Sequence, residues 1–194
     1  MCSVAGGLLG GFFSWSLVLV SRGLPGVIGI LVVRHQVLFA ALCGLALAVL
    51  GTLSNGETFG TGYAQARELV EGHVHLPAAF AVLKLLATVV SYISGIPGGI
   101  FAPSLAVGGI GATLAQFVPS APAGAVVLLG MVAYFSGVVQ APITAAVIVM
   151  EMTDNQRIIV PLMATAFLSF GVSRLLCRKP LYSTLAERFL SAQR

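Results

Sequence analysis

Charged side chains are scarce in this sequence. Asp, Glu, Lys and Arg together make up 8% of the 194 residues, while hydrophobic residues make up 58%. A typical soluble domain carries about 25% charged residues, so the composition excludes a soluble domain and indicates an integral membrane protein. At roughly 20 residues per spanning helix, the chain has room for about six to eight membrane segments. Because an open sheet cannot satisfy its edges in lipid, we expect an all-α fold.

Acidic side chains are especially few, and their placement argues against catalysis. Glu151 and Asp154 are the only acids between residues 72 and 186. They lie beside a polar turn at 155–157, a position that favours helix capping and interfacial pairing over proton transfer. The sequence also has no nucleophile triad motif, phosphate loop, zinc-protease motif or dinucleotide fingerprint. We therefore expect no enzyme activity.

Potential metal ligands are equally sparse. His73 and His75 are close in sequence, but zinc needs further ligands and none is nearby. The three cysteines indicate neither a disulfide framework nor a metal cluster. A net charge of +4 is spread too thinly to indicate nucleic-acid binding. The sequence thus predicts no metal, no cofactor and no nucleic-acid partner.

Apolar segments account for most of the chain. The first, at 4–20, carries Gly6, Gly7, Gly10 and Gly11, and this small-xxx-small spacing lets helix backbones approach closely in lipid. Residues 63–71 form a short amphipathic helix with an Arg67–Glu71 pair, which is typical of the membrane interface. The further predicted helices are 37–53, 76–93, 99–118, 124–139, 143–152 and 158–177.

A break rich in glycine and proline interrupts the apolar chain at residues 94–103. Its supporting residues are Ser94, Gly95, Pro97, Gly98, Gly99 and Pro103. The glycines permit a positive φ or a close approach to a ligand, Pro97 ends the preceding helix, and Pro103 fits the first turn of the next. A helix that starts here presents free N–H groups at Ile100 and Phe101, backed by the positive end of its dipole. Such a terminus is an anion site that needs no basic side chain.

Taken by its spacing alone, the same Gly-Pro pattern favours an ordinary surface turn between two spanning helices. Further interruptions, at Gln140–Pro142 and at 154–157, favour the functional alternative. Short, proline-interrupted helices are the mark of discontinuous membrane helices, whose irregular backbone lines a substrate site in transporters.

Four ordered motifs resemble the C-terminal half of the CLC family of chloride channels and chloride/proton antiporters. They are Ser94–Pro103, Tyr134–Thr144, Val149–Asn155 and Lys179–Tyr182. The resemblance implies tilted and discontinuous helices like those of the family's second, inverted repeat. It identifies residues 1–194 as a partial transmembrane domain of this type, without a soluble regulatory domain.

The resemblance also implies a function. The family holds chloride with backbone N–H groups that match Ile100 and Phe101 and with a tyrosine hydroxyl that matches Tyr182. The remaining donor, a serine, and the gating and proton-transfer glutamates belong to the family's N-terminal half. The resemblance therefore implies chloride transport, a need for an N-terminal half, a homodimer and a bacterial inner membrane. By itself, a tyrosine beside Arg and Lys is more typical of an aromatic-belt anchor.

Lys84 lies near the centre of a predicted spanning helix, where a buried ammonium costs about 2.5 kcal/mol or more on insertion scales. It needs a partner or water. The structural interpretation is a pair with Glu151 or bonds to backbone carbonyls at a broken helix. The functional interpretation is that it raises the potential along an anion path. The sequence favours the structural one.

The basic residues Arg174, Arg178, Lys179, Arg188 and Arg194 concentrate at the C-terminus, which we therefore expect to be cytoplasmic. An unrelated multispan transporter of a small solute is the alternative function, and an intramembrane enzyme ranks third. The residues do not separate a channel from an antiporter, or select among anions.

Overall fold

The computed structural model describes residues 1–21, 35–71, 79–94, 98–116, 122–153 and 158–178, together with residues 180, 182 and 184. Within them lie nine helices and no strand, which confirms the all-α prediction for this part of the chain. The helices are α1 Cys2–Ser21, α2 Gln36–Leu53, α3 Tyr63–Glu71, α4 Ala79–Ile93, α5 Phe101–Gly108, α6 Ile110–Ala115, α7 Ala123–Val139, α8 Pro142–Thr153 and α9 Ile159–Leu176.

Three of these helices, α1, α2 and α9, are long and apolar enough to cross a membrane. Four shorter apolar segments accompany them: α4, the α5–α6 pair, α7 and α8. Seven apolar segments agree with the six to eight predicted from length. The short amphipathic α3 also has the predicted bounds.

Helix α7 is the centre of the fold. From Val126 to Val138 every residue is buried except Leu129, which is partly buried. A helix that is apolar on all sides is typical of a protein core or of a membrane span, and α7 contacts α1, α5, α6, α8, α9 and α3.

The glycines of α1 explain how closely the helices approach α7. A Cβ on Gly10 would lie 2.7 Å from the carbonyl oxygen of Tyr134 in α7. A Cβ on Gly7 would lie 2.8 Å from the carbonyl oxygen of Ser169 in α9. The 6/10 pair therefore packs on α7 and the 7/11 pair on α9, so the predicted small-residue pattern serves two neighbours.

The predicted continuous helix over 99–118 is instead two helices that meet at Gly109. The N–H of Gly109 donates to the carbonyl of Ala106, and the N–H of Ala112 donates to the carbonyl of Gly109. These three-residue spacings break the helix at this point. A Cβ on Gly111 would meet the carbonyl of Val126 at 2.5 Å, so the turn lets both halves follow the surface of α7.

We predict that Gly10→Ala lowers the free energy of unfolding by about 1–3 kcal/mol, the usual cost of overpacking. The new methyl group would meet backbone atoms of α7, which cannot rotate away. Thermal unfolding in detergent measures the change.

Gly44→Ala in α2 is the matched control, because a Cβ there meets nothing within 4 Å. Helix propensity alone makes this change neutral or stabilising by about 0.5–1 kcal/mol. Equal effects of the two substitutions would contradict the close-contact explanation.

Candidate anion site

The break at 94–103 leads into the start of α5. Ile100 is the N-cap, with φ −88° and ψ −20°. Its carbonyl accepts hydrogen bonds from the N–H of Ser104 at 3.1 Å and from the Ser104 hydroxyl at 2.7 Å. The N–H groups before Ser104 therefore have no acceptor within the helix. Pro103 lies in the first turn, as predicted.

The described glycines of the break matter because they have no side chain, not because their backbone is left-handed. Positive φ is found at Gly56, Gly60 and Gly62, and neither Gly98 nor Gly99 shares it, so that part of the prediction is wrong for these two residues. Both are exposed, and a Cβ on either would meet nothing within 4 Å. Their missing side chains leave the start of α5 open. Gly95 and Pro97 lie outside the described residues.

A cavity of about 320 Å³ lies against this open helix start. Four parts of the chain line it: the break itself, one face of α4, the loop between α2 and α3, and one residue of α2. The described lining residues are Leu47, Thr58, Phe59, Gly60, Lys84, Ala87, Thr88, Ser91, Tyr92, Gly98, Gly99, Ile100 and Pro103.

Phe101 and Ile100 point their side chains into packed surroundings. The Phe101 ring meets the Phe135 ring edge-on, with centroids 4.8 Å apart and planes at 83°. Ile100 is 8% exposed and lies in an apolar cluster that includes Tyr134 and Cys177. Packing thus holds both side chains, and their backbone is what remains to meet a ligand.

Tyr182 lies near the cavity but outside its described lining. Its side chain is 49% exposed. It is close enough to Tyr92, which lines the cavity, for the two phenol groups to interact electrostatically. The structure therefore brings Gly98, Gly99 and Ile100 together on one wall and places Tyr182 beside a residue of another. Lys179 lies outside the described residues.

Comparison with known proteins identifies the family. Residues 1–174 match the family model described as Voltage gated chloride channel. The chain belongs to this family. The resemblance predicted from the four motifs is confirmed.

Several bacterial relatives carry the name H(+)/Cl(-) exchange transporter ClcA. The one from Yersinia pestis bv. Antiqua is 35% identical over 169 residues, which is 82% of this chain and 35% of the relative. The one from Klebsiella pneumoniae is 34% identical over 170 residues, 83% of this chain and 36% of the relative. The one from Cronobacter sakazakii is 40% identical over 119 residues, 58% of this chain and 26% of the relative. The chain spans about a third of the length of the first two relatives.

In this voltage-gated chloride channel family member, Gln140 anchors the end of α9. Gln140 follows α7 in the left-handed conformation, with φ +57°. Its side-chain amide donates to the carbonyl of Cys177 at 2.7 Å and approaches the Ser173 hydroxyl at 3.4 Å. Ser173 in turn donates to the carbonyl of Gly137 at 2.6 Å. The end of α9 is thereby fixed to the end of α7.

Sequence reasoning missed this anchor, although a signal was present. Ser136, Ser169 and Ser173 are polar residues at helical spacing on otherwise apolar helices. All three are buried, and each donates to a carbonyl of the facing helix. Hydroxyls in that pattern indicate an interhelical contact in lipid.

Lys84 is 2% exposed and donates to the carbonyls of Thr58 and Gly60, each at 2.8 Å. Bonding to backbone carbonyls is the predicted structural solution, but the carbonyls belong to the loop between α2 and α3 rather than to a broken helix. Glu151 is exposed on α8 and forms no described ion pair with Lys84.

The predicted Arg67–Glu71 pair is present in α3, with Nε and Oε1 2.7 Å apart. The Glu71 carboxylate raises the pKa of the Arg67 guanidinium, which is ionised in any case. The described residues contain no group of three metal ligands, while His73, His75 and Asp154 lie outside them.

Proposed function

We propose that this chain takes part in chloride transport across a membrane, within a CLC-type channel or chloride/proton antiporter. The N–H groups of Ile100 and Phe101 and the hydroxyl of Tyr182 hold the anion. One observation carries the proposal: an open cavity lies against a helix N-terminus among apolar helices, in a chain of the chloride channel family. The names of the relatives favour proton-coupled exchange. Family membership also removes the alternative of an unrelated transporter.

The chemistry of the helix start suits an anion. Helix N–H groups and the helix dipole both place partial positive charge at α5's first turn. Open space at Gly98 and Gly99 lets an ion reach the backbone without meeting a side chain. Pro103 has no N–H to offer, so the donors are concentrated at the residues before it.

The setting of the protein is proposed on the same basis. The chain lies in the inner membrane of a bacterium, with its C-terminus cytoplasmic, and requires a partner half and a second subunit. The exposed apolar residues of α9, which include Val160, Leu168 and Leu175, suit either lipid or such a subunit. Chloride is the transported substrate in this proposal, which calls for no cofactor.

We predict that Gly99→Pro abolishes chloride binding. Proline removes an N–H beside the site and restricts the backbone, while the open surroundings of Gly99 leave room for the ring. The broadening of the chloride-35 NMR line, which detects weak binding, measures the loss.

Phe101→Ala is the comparator for this test. It removes the Phe135 ring contact but keeps the Phe101 N–H, so binding should remain measurable even though stability falls. Undiminished binding by a folded Gly99→Pro variant would refute the backbone site.

We predict that Tyr182→Phe weakens chloride binding by roughly ten- to hundredfold, which corresponds to the loss of one charge-assisted hydrogen bond of about 1.5–3 kcal/mol. The ring stays in place, so folding should be unchanged by circular dichroism. Wild-type affinity in Tyr182→Phe, with stability lost only in Tyr182→Ala, would instead identify Tyr182 as an aromatic-belt anchor.

We predict that residues 1–194 alone do not sustain chloride transport. One helix terminus stabilises an anion by about 0.3–2 kcal/mol and one charge-assisted hydrogen bond by about 1.5–3 kcal/mol. Removing water from an ion costs several kcal/mol. These donors therefore bind chloride weakly, and a conducting pathway needs donors from a second set of broken helices.

The test is chloride efflux from liposomes that contain only the purified chain, under a chloride gradient. Empty liposomes provide the baseline. Sustained, halide-selective efflux above that baseline would show that the chain's own residues complete the pathway.

A further inference from the structure

A second cavity, of about 330 Å³, lies between α3 and the helices α5, α7 and α8. Its described lining shares no residue with the cavity at the start of α5. Pockets that bind small molecules have volumes of about 300–1,000 Å³. The second cavity is therefore large enough to hold a small ligand or one part of a larger one, at a place separate from the proposed chloride site.

The inner wall of this cavity is apolar. Leu105 of α5, Met131 of α7 and Val149 of α8 line it, and each is at most 4% exposed. All three belong to the apolar cluster that packs around α7. Met152 of α8 also lines the cavity and is 40% exposed, so the apolar lining continues to the open surface. Such a wall gains free energy by covering a hydrocarbon chain.

One face of α3 forms the outer rim. The α3 residues that line the cavity are at positions 63, 66, 67, 70 and 71, a spacing that places them on the same side of a helix. Arg67 and Glu71 bring opposite charges to this face, with side chains 69% and 42% exposed. Tyr63 lies close enough to Arg67 for an electrostatic interaction. The cavity thus has a charged mouth and an apolar interior.

Close packing fixes α3 in this position. A Cβ on Gly109, between α5 and α6, would lie 2.6 Å from Cδ1 of Leu69. A Cβ on Gly124, at the start of α7, would lie 2.9 Å from the carbonyl oxygen of Val70. Glycine therefore lets α3 approach both neighbours closely. An amphipathic helix of this kind suits the headgroup layer of a membrane, which is where lipid phosphates lie.

The two charges at the mouth define the chemistry of a matching headgroup. A guanidinium carries five N–H donors in a planar fork that fits a phosphate group. The described hydrogen bonds of Arg67 use one of them, the Nε–H, which donates to Glu71 at 2.7 Å. Because Arg67 and Glu71 are the charged residues of the described lining, their charges cancel. The mouth therefore gives a lipid of net negative charge no advantage over a zwitterionic one.

We propose that this cavity binds one zwitterionic membrane phospholipid, of the phosphatidylethanolamine type. The lipid phosphate accepts hydrogen bonds from Arg67, and the headgroup ammonium offsets the charge of the Glu71 carboxylate. A primary ammonium can donate hydrogen bonds there, whereas the quaternary ammonium of phosphatidylcholine cannot. One acyl chain enters between Leu105, Met131 and Val149. The inference does not depend on the proposed chloride site.

The test is native mass spectrometry of the purified full chain in detergent, with equal amounts of dioleoyl phosphatidylethanolamine and dioleoyl phosphatidylglycerol. The wild-type chain should retain one phosphatidylethanolamine in preference to the anionic lipid. Arg67→Gln should lower this affinity by about three- to tenfold, which is modest because the side chain is exposed. Glu71→Gln leaves a net positive mouth, so the preference should shift toward phosphatidylglycerol.

Glu68→Gln is the matched control. Glu68 is an exposed residue of α3 outside the described lining, so the same change of charge there should leave the preference as in wild type. Met152→Trp adds a bulky side chain at the mouth and keeps both charges, and should weaken binding of phosphatidylethanolamine. Glycerophosphoethanolamine, which has the headgroup without acyl chains, should not displace the retained lipid.

The outcomes separate a built site from lipid that merely coats the helices. Weaker retention in Arg67→Gln, together with the shifted preference in Glu71→Gln, supports the inference. Equal retention of the two lipids, or retention that neither substitution changes, would show non-specific lipid only and overturn it. Displacement by glycerophosphoethanolamine would also overturn it, since the acyl chain would then contribute nothing. Chloride-35 line broadening tests the proposed function separately, so either can fail alone.

Discussion

The enclosure of α7 is the constraint on which the rest of the described fold depends. Lipid is as apolar as a leucine side chain, so the hydrophobic effect does not drive membrane helices together, and close packing must do so. Glycines supply that closeness on two sides of α7: Gly10 of α1 on one, and Gly108 and Gly111 of the α5–α6 pair on the other. Since α5 packs directly on α7, the start of α5 is fixed where the cavity lies.

Buried hydroxyl groups add hydrogen bonds between the helices that the glycines allow to approach closely. Each buried serine of the α1, α7 and α9 interface donates to a main-chain carbonyl of a neighbouring helix; the donors are Ser14, Ser136, Ser169 and Ser173. A helix carbonyl has a second lone pair available, so these bonds do not disturb the helices that accept them. They satisfy each hydroxyl where no water is present, and with Gln140 they lock the end of α9 to the end of α7. Tyr182 follows this fixed end of α9 in the sequence.

The sequence predicted the helices well because their signals are local. Apolar runs, Gly-Pro interruptions and the amphipathic pattern of α3 are visible in consecutive residues, and the bounds of α3 were predicted without error. The break at Gly109 was missed because it depends on how the α5–α6 pair fits against α7. A glycine in an apolar run gives no local sign of such a fit.

The candidate site was less predictable, for a similar reason. The proposed donors at Ile100 and Phe101 follow from where a helix begins, which is a local property. The partners of Lys84 do not, since Thr58 and Gly60 lie 26 and 24 residues away in sequence. Only the folded chain brings the loop to the lysine and the lysine to the cavity.

The scarcity of charged residues in this sequence fits the way an anion would be held here. A conducting site must bind its ion strongly enough to admit it and weakly enough to release it. Backbone N–H groups carry partial charges, so they attract an anion without the full strength of an unshielded ammonium. Lys84 is the one fully charged group on the cavity's described lining, and its ammonium already donates hydrogen bonds to two carbonyls. Those two bonds satisfy the buried ammonium where no carboxylate of the described residues pairs with it.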